Sequence, residues 1–274
     1  MIKIVNFKGG LGNQILIYLF SKHLESKNDS NKVHGIYQSK NLRAHNGLEI
    51  EKVFNVTLPP TNILCKIITF TIIFLAKLGM KKWISTEFEY KDDAIYYDGT
   101  WMDLKYFRNE YSKLKFNHIK LDETNQLYYN EILNHNSVFI HIRRGDYLLS
   151  KHYNTYNNIC TKEYYNKAIE YIKKEIINPA FYIFSDDIEW VKDHLKLTNA
   201  TYINYNKGEN SYIDLYLMSK CKNCIIANST FSYWGAMLGE TKNNIVYPAK
   251  WMNTRTPNLF PETWVAINNK GEIQ

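Results

Sequence analysis

The sequence predicts an α/β protein built as two lobes with a cleft between them, and three observations support this fold class. The chain has 274 residues, enough for two domains of ordinary size. It is 45% hydrophobic and 22% charged, so it can bury an extensive core. Its second half alternates apolar strands with helices, which is typical of a parallel sheet covered on both faces. We therefore expect the C-terminal lobe to be a doubly wound parallel sheet.

The first half opens with the same alternation. Residues 1–7 (MIKIVNF) predict a strand, the turn KGGLGN follows, and a helix is expected from Gln14 (QILIYLFSKHLES). Between about residue 50 and residue 130 the pattern places no strand. We assign residues 1–130 to the N-terminal lobe and 131–274 to the C-terminal lobe, with the last helix a candidate for crossing back.

The second half predicts its elements in order. Strands are expected at 137–142, 180–184, 201–204, 223–227 and 244–247. Helices are expected at 161–177 with Thr161 as its cap, shortly after Asp187, at 211–220 and at 230–239. Parallel sheets bind ligands at the carboxyl ends of their strands. The rule selects four segments that follow strands: Gly9–Gln14, His141–Tyr147, Ser185–Asp187 and Asn228–Ser232.

Residues 62–83 form a strongly apolar segment that Lys66 and Lys77 interrupt. Its uninterrupted part, Ile67–Ala76, is shorter than the about 20 residues of a transmembrane helix. We favour a helix buried in the core. The alternative is an interfacial helix with its lysines and Trp83 at the headgroup level, which would give peripheral contact with a membrane.

Charge and cysteine content narrow the class of protein. The net charge of +7 would suit an anionic ligand, a nucleic acid or a membrane surface, and it decides among none of them because the basic residues are scattered. We expect no nucleic-acid partner. Cys221 and Cys224 form a CxxC pair without the second pair that a structural zinc site needs, and we expect reduced thiols. The N-terminus shows no signal-peptide pattern. The expected location is the cytoplasm, or the inner face of the plasma membrane if residues 62–83 bind it.

The segment HIRRGDY at 141–147 is the most informative of the four. A buried strand ends there in Arg143 and Arg144, and burying a guanidinium is costly unless an anion meets it. Arginine matches phosphate bidentately, which predicts a phosphate ligand. The structural alternative is an ion pair of either arginine with Asp146, and both can hold together. Residues 144–146 also spell the RGD adhesion tripeptide, but a tripeptide next to a buried strand does not suit an exposed adhesive loop.

The other three segments each have a ligand-binding and a structural interpretation. The glycine-rich turn at Gly9–Gln14 suits an oxyanion but lacks the Walker A ending and the full GxGxxG pattern. Asp186 and Asp187 can bind a nucleoside, or cap the next helix. The run Asn228–Ser232 is a second anion cradle or an ordinary helix cap. No Asp-x-Asp triplet accompanies them, so we expect no catalytic metal.

Taken together, the segments resemble the alpha-1,2-fucosyltransferases, glycosyltransferase family 11. The matching motifs are GGLGNQ at 9–14, HIRRGDY at 141–147, FSDD at 184–187 and NSTFSYWGA at 228–236. The stretch YDGTWMDLKYF at 97–107 is similar to the family's GYWQSEKYF-type segment, with Met102 and Asp103 in place of Gln and Ser. The resemblance covers nearly the whole chain.

The resemblance implies a GT-B type transferase that moves L-fucose from GDP-fucose to a glycan hydroxyl, alpha-1,2 to galactose, with inversion and no essential metal or other cofactor. It implies catalytic roles for Arg143, Arg144 and Asp146 in the C-terminal, GDP-binding lobe, and acceptor binding by the N-terminal lobe. The donor-binding residues that it implies are Gly10, Gly12, Asn13, Gln14, His141, Asp186, Asp187, Asn228, Ser229, Thr230, Phe231 and Ser232.

Alternatives remain open at this point. The same cradle suits another GDP-linked deoxyhexose such as colitose, and a nucleotide- or glycan-binding protein without catalysis carries the same contacts. For the base that deprotonates the acceptor, Asp98, Glu49 and His141 are candidates. Pairing with arginine would lower the pKa of Asp146 and weaken it as a base.

Overall fold

The computed structural model describes residues 1–37, 40–195 and 197–274, and the side chains of Asn41, Asp146 and Lys151 also lie outside the description. The chain divides into two compact units, Met1–Asn117 and His118–Gln274. Each unit is built on a sheet of parallel strands with helices. The predicted α/β class is therefore confirmed. The division falls ahead of residue 130.

The first unit contains a four-stranded parallel sheet of order β2-β1-β4-β3. Its strands are β1 (Ile2–Asn6), β2 (Lys32–Ile36), β3 (Ile84–Thr86) and β4 (Tyr96–Asp98). Its helices are α1 (Leu11–Lys27), α2 (Lys40–Arg43), α3 (Ile50–Val53) and α4 (Ile63–Lys77). Helix α1 begins three residues before the predicted Gln14, directly after Gly10 as its N-cap. The turn between β1 and α1 therefore consists of residues 7–10.

The second unit contains a six-stranded parallel sheet of order β10-β9-β8-β5-β6-β7. Its strands are β5 (Asn136–Ile142), β6 (Pro179–Ser185), β7 (Ala200–Ile203), β8 (Asn223–Ile225), β9 (Ile245–Pro248) and β10 (Val265–Ile267). Its helices are α5 (Glu123–Asn134), α6 (Ser150–Tyr156), α7 (Lys162–Glu175), α8 (Ile188–His194), α9 (Tyr212–Lys220) and α10 (Thr230–Met237). Helix α10, the last one described, packs on α9 within this unit.

Helix α7 illustrates how the core of the second unit forms. Thr161 caps it as predicted, since its Oγ1 accepts a hydrogen bond from the backbone N of Tyr164 at 3.2 Å. Tyr164, Ala168 and Ile172 recur every four residues on the buried face. They join a core cluster with apolar residues of β5 and β6. The helix thereby covers one face of the sheet where the central strands are most apolar.

Helix α4 covers one face of the first sheet and leaves its own outer face uncovered. Cys65, Thr69 and Ile72 are buried, and Cys65 and Ile72 pack against Ile4 and Tyr96 of the sheet. Large apolar residues on the opposite side are exposed, among them Phe70 at 75%. The prediction of a buried helix is therefore wrong for this outer face. Of the helices in the described ranges, none is long and apolar enough to cross a bilayer.

All four cysteines are free thiols, in agreement with the predicted reduced state. Cys221 and Cys224 lie under 2% exposed in the core of the second unit. Burial raises the pKa of both thiols to about 12. They are packing residues.

A polar cluster joins α5 to the start of α9. Asn125 and Asn206 donate to each other through their side-chain amides, at 2.9 Å in both directions. Asn206 Nδ2 also donates to Asp214 Oδ1 at 2.7 Å. Burial raises the pKa of the Asp214 carboxyl to about 7, against the lowering effect of this hydrogen bond. The folded protein therefore holds Asp214 protonated in mildly acidic solution.

We predict that Asp214→Asn removes part of the pH dependence of folding stability. The unfolded chain ionises Asp214 near the ordinary pKa of 3.8, whereas the folded chain retains the proton up to a pKa of about 7. The wild-type contribution is therefore fully present below the lower value and is lost as pH rises to the upper one, by about 1.4 kcal/mol per unit. Chemical denaturation of both proteins between these pH values measures the difference. The exposed Asp193→Asn is the control, and an unchanged pH slope in Asp214→Asn would refute the assignment.

Candidate active site

The register of β5 against β6 brings two of the predicted segments together. Ile142 pairs with Ser185 at the carboxyl ends of the two strands. Arg143 and Asp186 are the next residues along each chain, so both leave the sheet at neighbouring points. Strand β8 lies on the other side of β5, with Ile140 paired to Ile225. The segments after β5, β6 and β8 therefore share one edge of the second sheet.

Each arginine meets a different aspartate from the neighbouring strand. Arg143 Nε lies 3.3 Å from Asp186 Oδ2, and Arg144 Nε lies 3.1 Å from Asp187 Oδ2. The backbone N of Arg144 also donates to Asp186 Oδ1 at 2.9 Å. The four side chains are 26–35% exposed, so the pairs are half-buried. The predicted pairing and catalytic role of Asp146 rest on a side chain outside the described residues.

Arg144 is held on a second side by an aromatic ring. Its guanidinium carbon lies 4.2 Å from the ring centroid of Trp190, a stacked cation–π contact. Trp190 in turn stacks on His194 with centroids 4.6 Å apart. Sequence reasoning missed Trp190. The available signal was its place three residues after Asp187, in the first turn of α8.

Of the two roles considered for Asp187, the structure shows the helix cap. Its Oδ1 accepts from the backbone N of Trp190 at 3.1 Å, which caps α8. Its other oxygen carries the ion pair with Arg144. Gly145 lies close to the Asp186 carboxylate, since a Cβ at residue 145 would be 3.2 Å from Asp186 Oδ2. The absence of a side chain at this position leaves room for the carboxylate. These ion pairs and hydrogen bonds therefore hold the arginine and aspartate side chains in one arrangement.

His141 is buried at the end of β5, next to this cluster. Its ring lies 6.0 Å from the ring of Phe231, between centroids, and its backbone carbonyl accepts from the hydroxyl of Tyr165 at 3.1 Å. Its Nδ1 is buried and has no hydrogen-bond partner among the described residues. Burial, followed by the charge of Arg143, lowers the pKa of His141 to about 3. The imidazole is therefore neutral at working pH.

Hydrogen bonds of Asn228 connect the segment after β8 to the rest of the second unit. Asn228 Nδ2 donates to the carbonyl of Trp251 at 3.0 Å, and its own carbonyl accepts from the Tyr147 hydroxyl at 2.9 Å. Ser229 is the N-cap of α10, with its Oγ 3.4 Å from the backbone N of Phe231. Ser232 is fully buried and its hydroxyl donates to backbone carbonyls. The half-buried Thr230 and Phe231 lie in the first turn of α10.

In the first unit the glycine turn is fixed by Gln14. This side chain is fully buried, and its Nε2 donates to the carbonyls of Gly9 and Gly47 at 3.1 and 2.8 Å. Its Oε1 accepts from the backbone N of Glu49 at 2.8 Å. Gly9 has φ +80°, and a Cβ there would lie 2.5 Å from Asn13 Nδ2. A glycine is required at this position.

Further polar groups lie around the same turn. The imidazole of His45 lies 3.5 Å from where a Cβ of Gly10 would be. Asp98 Oδ1 accepts from Lys8 Nζ at 2.8 Å and from Asn6 Nδ2 at 3.1 Å, at the carboxyl ends of β1 and β4. The first unit therefore gathers Lys8, Asp98 and the glycine turn at one sheet edge. Gly12 and Asn13 belong to the first turn of α1.

Comparison with known proteins gives one family. The sequence model described as glycosyl transferase family 11 matches residues 79–268. An alpha-1,2-colitosyltransferase of Escherichia coli is 30% identical over 288 residues, which cover 97% of this chain and 99% of that protein. The O-antigen biosynthesis glycosyltransferase WbnK of Escherichia coli is 38% identical over 141 residues, covering 51% of this chain and 43% of its own length.

Two solved structures share the fold at low sequence identity. The NodZ alpha-1,6-fucosyltransferase co-crystallized with GDP has a TM-score of 0.54 and 13% identity, covering 100% of this chain and 98% of that one. POFUT1 in complex with GDP has a TM-score of 0.50 and 13% identity, covering 90% and 98%. These likenesses confirm the predicted GT-B fold class.

We predict that His141 stays neutral from pH 8 down to pH 5. Its depressed pKa of about 3 follows from burial and from Arg143. Arg143→Gln should raise that pKa, because one of the two causes is removed while burial continues to hold it below its usual value. Nitrogen-15 NMR of histidine-labelled protein measures the ring, with His141→Gln identifying its resonance. Titration of the wild-type ring near the ordinary histidine pKa of 6.5 would contradict the buried geometry.

Proposed function

We propose that this chain, which belongs to glycosyl transferase family 11, transfers L-fucose from GDP-fucose to a hydroxyl group of a glycan. Family membership makes it a GDP-sugar glycosyltransferase with a glycan acceptor. The finer assignment is ours: an alpha-1,2 linkage to galactose, formed with inversion and without an essential metal, in bacterial surface polysaccharide synthesis. The names of the colitosyltransferase and of WbnK support the linkage and the polysaccharide context.

The position of Arg143 is the observation on which the proposal rests. Its side chain is 35% exposed at the carboxyl edge of the second sheet, and Asp186 holds its Nε. Arg144 is 26% exposed and lies between Asp187 and Trp190. We assign Arg143, the more exposed of the two side chains, to the diphosphate and Arg144 to positioning. The hydroxyls and backbone N–H groups at the start of α10 would hold further phosphate oxygens.

The chemistry requires a fixed positive charge at this point. As the bond between the anomeric carbon and the phosphate oxygen breaks, its electron pair leaves with GDP, and the acceptor oxygen forms the new bond. Negative charge therefore grows on the diphosphate in the transition state, where a preoriented guanidinium stabilises it more than in the ground state. Asp186 and Asp187 both already pair with arginine, which supports a mechanism in which arginine rather than a metal ion takes this charge.

The acceptor hydroxyl must lose a proton during transfer. The low pKa of His141 makes it a weak base. Of the candidates, Asp98 and Glu49 remain in the first unit, and Asp98 is the more accessible, because Glu49 is only 6% exposed. Lys8 and Asn6 orient the Asp98 carboxylate by donating to one of its oxygens. Accessibility is what favours Asp98 for this role, whereas its ion pair with Lys8 counts against it, as pairing with arginine counts against Asp146.

Colitose is a second candidate for the transferred sugar. The observation that favours it is the alpha-1,2-colitosyltransferase, which aligns with 97% of this chain and 99% of its own length. Both sugars would leave the same GDP group, so the arginine chemistry is unchanged. The difference would lie in the contacts to the sugar ring.

A donor and acceptor screen is the direct test of this function. We expect mass-spectrometric detection of one added fucose on galactose-terminated glycans with GDP-fucose, no transfer from GDP-mannose, and full activity in EDTA. Faster transfer from GDP-colitose would assign the second candidate. Absence of transfer from both deoxyhexose donors would overturn the proposal, and loss in EDTA that manganese restores would overturn its metal-free mechanism.

We predict that Arg143→Gln lowers turnover more than donor affinity. Loss of one charge-stabilising donor typically lowers kcat by on the order of 10²–10³-fold, while the Kd of GDP should rise by only about tenfold. The exposed Arg108→Gln of the first unit is the matched control, with no expected change. Steady-state kinetics and calorimetry with GDP separate the two quantities. Equal losses in both would mean that Arg143 binds the donor without a role in the transition state.

A further inference from the structure

Helix α4 presents a continuous apolar surface that no described part of the chain covers. Ile63, Ile67, Phe70 and Phe74 recur at the spacing of one helical face, and they are 71%, 56%, 75% and 55% exposed. Leu64, Ile73, Leu78 and Met80 extend the surface to either side and beyond the helix end, each at least 36% exposed. We call these eight residues the α4 surface. Single exposed apolar residues are ordinary, but a contiguous set of this size marks an interaction site.

The segment that forms the α4 surface carries one sign of charge. Lys77, Lys81 and Lys82 are exposed at its C-terminal end, and Lys66 is half-buried along the helix. The sequence contains no Asp or Glu between Glu51 and Glu87. An apolar face with a cationic rim complements a surface that is apolar below and anionic above. This is the structure of a bilayer that contains anionic lipids.

We propose that the α4 surface docks on an anionic membrane, with α4 lying in the plane of the interface. The helix has 15 residues, fewer than the about 20 that a spanning helix needs. Its inner face is already fixed to the sheet through Cys65 and Ile72. The helix is therefore formed before contact, and docking does not have to supply the free energy of folding it.

A second copy of this chain fits the α4 surface less well. In a two-fold contact through this surface, the lysine rim of one copy meets either the rim of the other copy, which is a like-charge contact, or a part of the same segment that offers no carboxylate. An anionic lipid surface supplies the missing negative charge. The inference is independent of which sugar the chain transfers.

Vesicle sedimentation with the full chain tests this docking. We expect binding to vesicles of phosphatidylcholine and phosphatidylglycerol in a three-to-one ratio, weaker binding to phosphatidylcholine alone, and release by salt. Phe70→Ser with Phe74→Ser should weaken binding at least about tenfold, because both rings would leave the acyl boundary. The matched control is Leu127→Ser with Ile177→Ser, two exposed apolar residues of the second unit at 64% and 81% exposure.

A charge-reversal pair keeps the test decisive if the phenylalanine variant folds poorly. Lys81→Glu with Lys82→Glu should weaken binding to the anionic vesicles several-fold, whereas the exposed pair Lys120→Glu with Lys270→Glu should bind like wild type. Failure of the wild type to bind anionic vesicles would overturn the proposal. So would equal binding by the lysine variants, or a wild-type dimer in ultracentrifugation that Phe70→Ser dissociates without any vesicle binding.

Discussion

The parallel pairing of β5 with β6 is the constraint on which the candidate site depends. The register sets Ile142 opposite Ser185, so that two arginines and two aspartates follow from adjacent strand ends. A guanidinium that is withdrawn from water without a partner carries a large desolvation cost. The aspartates offset that cost, and they fix each arginine in one orientation. A slip of one residue would turn every side chain of β5 to the opposite face and separate the pairs.

The same pairing gives the cluster of Arg143, Arg144, Asp186 and Asp187 no net formal charge. Attraction for an anion then comes from the direction of the donors rather than from a general positive potential. A phosphate must match that geometry to gain from it, so the cluster favours a ligand that other contacts also hold in position. Trp190 restricts Arg144 further, because a side chain that lies over an aromatic ring and also pairs with Asp187 has little freedom to follow a ligand. Preorientation of this kind is what a transition state with growing charge requires.

Local pattern was sufficient to predict five of the six strands of the second unit, since these are continuous apolar runs, but it did not predict β10, α5 or α6. Helix α7 was expected at 161–177 and lies at Lys162–Glu175, and β6 was expected at 180–184 and lies at Pro179–Ser185. The partners of the arginines were not predictable in this way. Asp186 and Asp187 lie more than 40 residues further along the chain, and only the strand register brings them close. Sequence spacing suggested Asp146 instead.

The first unit resisted prediction for a different reason. Strands β3 and β4 have three residues each, too few to display a period. For α4, composition indicated an apolar helix but not which of its faces would be covered. One face suffices to cover the sheet, since Cys65 and Ile72 already fill the contact with Ile4 and Tyr96. The remaining apolar residues are therefore in excess of what folding requires.

The place of α4 in the first unit separates docking from ligand binding. The helix packs on the face of the sheet, whereas the glycine turn, Lys8 and Asp98 lie at the carboxyl edge. A face and an edge of one sheet point in different directions, so contact with a bilayer through the α4 surface leaves that edge accessible. A helix that served only the core would gain nothing from exposing Phe70 and Phe74, and each exposed ring favours aggregation in water. Retention of both rings is explained if the outer face of α4 has its own partner, and the lysine rim makes an anionic bilayer the partner that fits.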